Sequence, residues 1–163
     1  LAETGHLVYT TLHTNDAATA LPRLIDLGAQ PFLITSTVNV IIAQRLVRMI
    51  CEDCLTEKTL NEAEAKSLAE TMPQVTKGKL YKKFFVGRGC KKCFQSGYYS
   101  RIGIHEVLEI NDEIRSLIMQ RANANEIKAA AVKMGMTTMF EDGFQKALKG
   151  ITTLEEILRV IHE

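Results

Sequence analysis

The sequence predicts an α/β fold with a four-cysteine zinc subdomain set into it and a helical subdomain at its C-terminal end. Three observations predict it. Runs rich in β-branched and aromatic residues at 6–13, 38–50 and 101–110 read as strands. Capping signals recur beyond residue 110, as they do ahead of helices. The only cysteines form two Cys-x-x-Cys pairs, Cys51/Cys54 and Cys90/Cys93, separated by a long insert. The corresponding division is 1–50, 51–100 and 101–163.

The first strand is expected from His6 to His13, a run of Leu, Val, Tyr and Thr between two histidines. Thr14, Asn15 and Asp16 then offer capping side chains for a helix over 17–27, with Ala20, Leu21, Leu24 and Leu27 on one face. Pro22 is awkward in its first turns and Gly28 stops it. Pro31 opens a short helical stretch. A strand follows over 38–50, where Val40, Ile41, Ile42, Leu46, Val47 and Ile50 dominate. Asn61 with Glu64 starts a charged helix that ends near Met72 and Pro73. Residues 77–88 are basic, with Tyr81, Phe84 and Phe85 interleaved. Such a mixture either binds nucleic acid or packs its aromatics beneath a small metal-held lobe. Residues 101–110 form the next strand. Asn111 then caps a helix, Asn123 with Glu126 caps another that Gly135 stops, 139–148 is helical up to Gly150, and Thr153 with Glu156 caps the last helix over 154–161.

A length of 163 residues holds one ordinary domain or two small ones. Hydrophobic residues at 46% and charged residues at 24% match a soluble globular protein. The net charge of +1 gives no global field to recruit nucleic acid or an acidic membrane, so neither partner is expected on that ground. No apolar run reaches the roughly 20 residues that span a bilayer, so no transmembrane segment is expected. Leu1 to Gly5 carries no initiator Met and no signal peptide, and leads directly into a strand-like run. That is the pattern expected of a piece of a longer chain.

The two cysteine pairs fit a structural zinc ion held by Cys51, Cys54, Cys90 and Cys93. A two-residue gap lets both thiolates of a pair turn toward one ion, and two such knuckles complete a tetrahedron. Lys91 and Lys92 within the second knuckle, and Lys58 near the first, favour thiolate over thiol. Two disulfides or a redox Cys-x-x-Cys are the alternatives. Disulfide scaffolds belong mostly to small secreted chains, and a redox site needs only one pair. With all four positions taken by sulfur, the ion is structural, and function lies elsewhere.

His13 ends the first expected strand, beside the capping hydroxyl of Thr14. In parallel α/β sheets ligands collect at such strand ends. His6 and His13 are each either a functional imidazole or an ordinary structural histidine. The run Thr4-Gly-His-Leu-Val8, continuing to Thr11-Leu-His-Thr-Asn15, resembles the histidine box of the hexameric secretion ATPases, which drive type II secretion and type IV pilus assembly. Ala43-Gln-Arg-Leu-Val-Arg48 leading into Cys51 is also similar, as are Arg101-x-Gly-Ile-His-Glu-Val-Leu108 and the tail from Asp142-Gly143 through Lys146 to Gly150-x-Thr-Thr-x-Glu-Glu156. The similarity runs in family order along essentially the whole chain. The cysteine pairs resemble those of the secretion and pilus-extension branch.

The resemblance implies the C-terminal part of a RecA-like ATPase core, followed by the zinc subdomain and the helical region. It implies His13 as a group near the γ-phosphate, His6 as the second, more structural, box histidine, and Arg45, Arg48 and Arg101 as subunit-interface or phosphate-facing cations. Ordinary surface charge is the other reading of these arginines. It further implies ATP and Mg²⁺ in the parent, a homohexamer, an inner-membrane platform protein as partner, and a cytoplasmic place at the inner-membrane face. The sequence contains no Gly-x-x-x-x-Gly-Lys-Ser/Thr loop and no Walker B strand, so the isolated chain is expected to be inactive. An alternative from another class is a stand-alone zinc-bearing interaction module that binds nucleic acid through residues 77–92.

Overall fold

Helix pairs and strand pairs follow one another along the chain, ahead of four consecutive helices, in a computed structural model that describes residues 4–162. The elements are α1 (Ala20–Asp26), α2 (Pro31–Thr37), β1 (Val40–Ile50), β2 (Leu55–Thr59), α3 (Glu62–Thr71), α4 (Pro73–Thr76), β3 (Lys83–Gly87), β4 (Tyr98–Glu109), α5 (Asp112–Met119), α6 (Ala124–Lys133), α7 (Met139–Leu148) and α8 (Leu154–His162). The expected α/β class is what forms. Two compact units divide the chain. One comprises 1–44 and 105–138; the other comprises 45–104 and 139–163.

In the first unit α2 packs against α5, and α5 against α6. Leu21, Ile34, Leu108, Ile114, Ile118 and Ile127 are buried there. Asn111 accepts the backbone N–H of Ile114 and so caps α5, while Asn123 and Glu126 form the reciprocal box at the start of α6. Both caps are as the sequence predicts. Helix α1 is shorter than expected. Residues 17–19 form a turn, so the helix begins at Ala20 and Pro22 becomes its third residue, where a missing N–H costs no intrahelical bond. Leu27 lies beyond the last helical residue and is exposed.

The strand expected over 6–13 does not form. This segment has no regular structure, and Leu7 and Tyr9 are 78% and 87% exposed. A strand exists by virtue of its ladder, and no strand among the described residues pairs with it. β-propensity reports fitness for a pleated surface and cannot supply the neighbour.

In the second unit Met72, Val75, Phe84, Phe144, Ala147 and Ile157 form the core, with Tyr81 and Leu68 packed against it. Tyr81 and Phe84 meet the Phe144 ring edge-on, at centroid distances of 5.3 and 6.1 Å. The aromatics of the basic stretch are thus packing residues beneath the lobe. Asn61 and Glu64 cap α3 reciprocally as predicted. Two short strands were not legible in the sequence. β2 pairs antiparallel with β3, from Leu55 opposite Gly87 to Thr59 opposite Lys83, and α3 and α4 lie between them in the chain.

The two long strands β1 and β4 pair with each other. Ile110 N–H donates to Asn39 O at one end, and Cys51 N–H to Gly97 O at the other, which makes the pair antiparallel. Odd-numbered residues of β1 through Met49 turn inward while the even ones from Val40 to Arg48 are exposed. No helix among the described residues is long and apolar enough to cross a membrane.

Candidate metal centre

The cysteines sit where two ladders meet. The chain leaves β1 at Ile50, makes the first knuckle and enters β2; it returns along β3, makes the second knuckle and enters β4. Pairing of Leu55 with Gly87 sets the knuckles side by side, and Arg88 N–H donates to Cys54 O at 3.0 Å to extend that pairing. Glycine at 87 and 97 permits the approach. A Cβ on either residue would strike the backbone of the other, and Gly97 has a φ of +77°. Lys92 ties knuckle to knuckle through its 2.8 Å ion pair with Asp53, and its ammonium lies 5.5 Å from the Tyr99 ring centroid. Lys58 pairs instead with Glu155, at 3.3 Å.

All four Sγ atoms lie within 4.8 Å of one another. Cys51 and Cys90 are 3.8 Å apart, Cys54 and Cys93 3.9 Å, Cys90 and Cys93 3.6 Å. A tetrahedron with metal–sulfur bonds of about 2.3 Å has edges of about 3.8 Å. The cluster thus has the dimensions of a tetrathiolate site. A disulfide would bring two of these sulfurs to about 2.05 Å, and all four cysteines are free. The four residues could hold one metal ion, with no position left for a substrate.

The thiols differ in acidity. Burial opposes the Cys93 thiolate, but the backbone N–H groups of Cys90 and Gly97 and the neighbouring thiols outweigh it, lowering the thiol to about 6. Burial pushes Cys54 up to about 11, aided by its bonds to the other thiols, and raises Cys51 as well. A metal ion entering this cluster near neutral pH must displace protons from Cys51 and Cys54.

The other residues singled out in the sequence lie apart from the sulfurs. His6 is exposed, and its Nδ1 lies 2.9 Å from Thr4 Oγ1. His13 is exposed in the irregular segment before α1. Arg101 is exposed on β4 and Arg45 half-buried on β1. Arg48 is engaged within its own unit. Its guanidinium donates to Glu156 Oε2 at 2.7 Å and stacks over Tyr98, 4.2 Å from the ring centroid. The Glu156 side chain is 0% exposed and also accepts from Arg48 N–H and from Arg159. Burial would raise its pKa, but these donors prevail and lower it to about 2. The cap at the start of α8 is therefore only half a box. Thr153 Oγ1 accepts Glu156 N–H as predicted, while the Glu156 carboxylate turns to the arginines.

Sequence reasoning missed Glu106 and, for Asp16, which it offered as a capping side chain, missed the partner Lys128. Glu106 is 1% exposed, between Ile104 and Leu108 on the buried face of β4, and its Oε1 accepts Ala17 N–H at 3.0 Å. Asp16 accepts from Thr19 N–H at 2.9 Å and from Lys128 at 2.9 Å. A signal existed for the first. A carboxylate breaks the apolar alternation of residues 104–110.

The family described as "Type II/IV secretion system protein" matches residues 1–159. The type IV pilus assembly ATPase PilB of Thermus thermophilus is 46% identical over 157 residues, covering 96% of this chain and 17% of its own length. The type II secretion system protein E of Pseudomonas aeruginosa is 41% identical over 160 residues, covering 98% of this chain and 30% of its own. The chain thus spans less than a third of these relatives. The X-ray structure of the Legionella pneumophila ATPase DotB is similar in fold, with a TM-score of 0.54 at 23% identity over 99% of this chain and 33% of that one. The chain belongs to the type II/IV secretion system protein family.

Proposed function

We propose that this chain is the C-terminal portion of a hexameric ATPase that powers type II protein secretion or type IV pilus assembly. The observation that carries the reading is its similarity over nearly its whole length to proteins named as pilus assembly ATPases and secretion protein E. Zinc is the ion at Cys51, Cys54, Cys90 and Cys93, because four thiolates at these separations suit a soft tetrahedral d¹⁰ ion. Bound there, it cross-links the two knuckles. Residues 1–50 close the ATPase core, 51–100 form the zinc subdomain, and 101–163 follow as strand and helices. ATP and Mg²⁺ bind the core supplied by the rest of the protein.

His13 reaches the γ-phosphate in this reading. A neutral imidazole donates one hydrogen bond to charge that builds there in the transition state. His6 supports the segment, and of Arg45, Arg48 and Arg101, the arginines assigned to a neighbouring subunit or a phosphate, Arg101 is exposed, while Arg48 is already engaged by Glu156 and Tyr98. The other partner is an inner-membrane platform protein, met from the cytoplasmic face.

Two measurements test the reading. The coding sequence upstream of Leu1 is expected to encode a Gly-x-x-x-x-Gly-Lys-Ser/Thr loop in frame, and its absence would overturn the assignment. In the full-length ATPase, His13→Ala is expected to lower kcat by about 10²–10³-fold, by analogy with loss of one oxyanion donor, with nucleotide affinity little changed. A kcat within about threefold of the parent makes His13 a structural histidine.

A further inference from the structure

Alternation along β4 places residues 104, 106 and 108 on the buried face, and residue 110, just past the strand's end, is buried with them. Three of them are Ile104, Leu108 and Ile110; the fourth is Glu106. An apolar residue there would avoid desolvating a carboxylate, and a buried acid is tolerated only when hydrogen-bonded. Departures from local rules concentrate where a fold serves function.

Glu106 answers one need. Residues 16–19 turn the chain from the irregular segment into α1, and Ala17 and Ala18 are fully buried in that turn. The Ala17 N–H points into protein, ahead of a helix that cannot use it. Glu106 Oε1 accepts it at 3.0 Å, across 89 residues of sequence. Asp16, beside it, accepts from Thr19 N–H and from Lys128 of α6, and Thr14 Oγ1 donates to Asp16 O at 3.2 Å. The chain is thus fastened from Thr14 to Thr19, and His13 immediately precedes the first fastened residue.

We infer that Glu106 is a positioning residue for His13: its buried carboxylate pins the Ala17 amide, and with it the turn that follows the segment carrying the exposed imidazole. The inference rests on the proposed role of His13. A hydrogen bond that develops only in the transition state works when its donor is already placed, because a displacement of about 1 Å can cost about 10²-fold in rate. Glu106 touches no nucleotide in this scheme. It fixes the root of a group that does.

The test uses two variants and two readouts. Glu106→Leu fills the same buried position with an apolar side chain and removes the acceptor. Glu106→Gln keeps an oxygen in place. In hydrogen exchange on the 163-residue chain with its metal, Glu106→Leu is expected to speed exchange of the Ala17 amide about tenfold, with the α5 and α6 amides unchanged and Glu106→Gln within about threefold of the parent. In the full-length ATPase, Glu106→Leu is expected to lower kcat about tenfold or more with nucleotide affinity unchanged, and Glu106→Gln to restore most of it. An unchanged Ala17 amide in the Leu variant overturns the anchor. A faster amide with unaltered kcat overturns the positioning role, provided that His13→Ala does lower kcat. If His13→Ala leaves kcat intact, the reading of His13 fails and takes this inference with it, while the exchange result still reports on the anchor itself.

Discussion

Cys51 and Cys54 hold their protons through the neutral range, while Cys93 ionises near pH 6. Metal binding must expel at least the first two protons. Zinc affinity is therefore expected to weaken as pH falls, by at least two orders of magnitude per unit between pH 8 and 7, as read by competition with a chelator of known proton linkage. A slope near zero would mean thiolates preformed by other charges. Elemental analysis of protein purified without added metal is expected to give one zinc per chain; its absence together with four titratable thiols would refute the site. Glu156 gives a second prediction at this scale. Its folded pKa of about 2 lies below the ordinary carboxyl value, so its contribution is complete above about pH 4.5 and is lost as pH falls through about 2. Glu156→Ala leaves Arg48 and Arg159 without their shared partner. Both are about half-exposed, so the expected loss is roughly 2 kcal/mol rather than the larger penalty of a fully buried pair. Urea unfolding at pH 7 measures it, and the difference between variant and parent should shrink on acidification toward pH 2.

At the scale of elements, local signals did well where the structure they specify is itself local. The reciprocal boxes at Asn61/Glu64 and Asn123/Glu126 each close within a single helical turn, so three residues carry the whole instruction. The β2–β3 pair went unseen for the opposite reason. Its strands are five residues each and are separated by two helices, so neither periodicity nor turn chemistry announces them. Close approach of Gly87 and Gly97 brings the two knuckles together beside that pair. Gly97→Ala adds a methyl against the Gly87 backbone at a left-handed φ. It is expected to destabilise by about 1–3 kcal/mol and to speed chelator-driven metal release. Ala at an exposed helical site such as Lys66 serves as the control, and equal release rates in the two variants would show that the approach is not needed.

For the whole molecule, a metal at the four cysteines would clamp both ends of the segment that contributes Met72, Val75 and Phe84 to the core of the second unit. Apparent binding energies for structural zinc of roughly 10–16 kcal/mol exceed what a lobe with so few buried side chains gathers by packing. Chelation is expected to raise hydrogen exchange first within 51–100, ahead of α5 and α6; uniform loosening would refute a local role for the ion. The 163-residue chain by itself is expected to hydrolyse no ATP, since it lacks the loop that cradles β- and γ-phosphates, and to sediment as a monomer or weak oligomer. Specific hydrolysis abolished by His13→Ala would contradict the first expectation, and a stable hexamer the second.

The sequence by itself determined what is encoded in short windows or fixed spacings. The capped starts of α3, α5 and α6, the glycine stops after α1 and α6, the long strands and the sulfur donor set all belong to that class. Only the tertiary structure decided which long-range partners exist. Residues 6–13 have strand composition but no ladder, because propensity cannot provide a neighbour. Glu156 looks like half of a capping box until Arg48, 108 residues away, claims its carboxylate. Glu106 looks like a flaw in a buried strand until Ala17 brings it an unpaired amide. A carboxylate can accept from any donor within reach, and reach is a property of the folded chain.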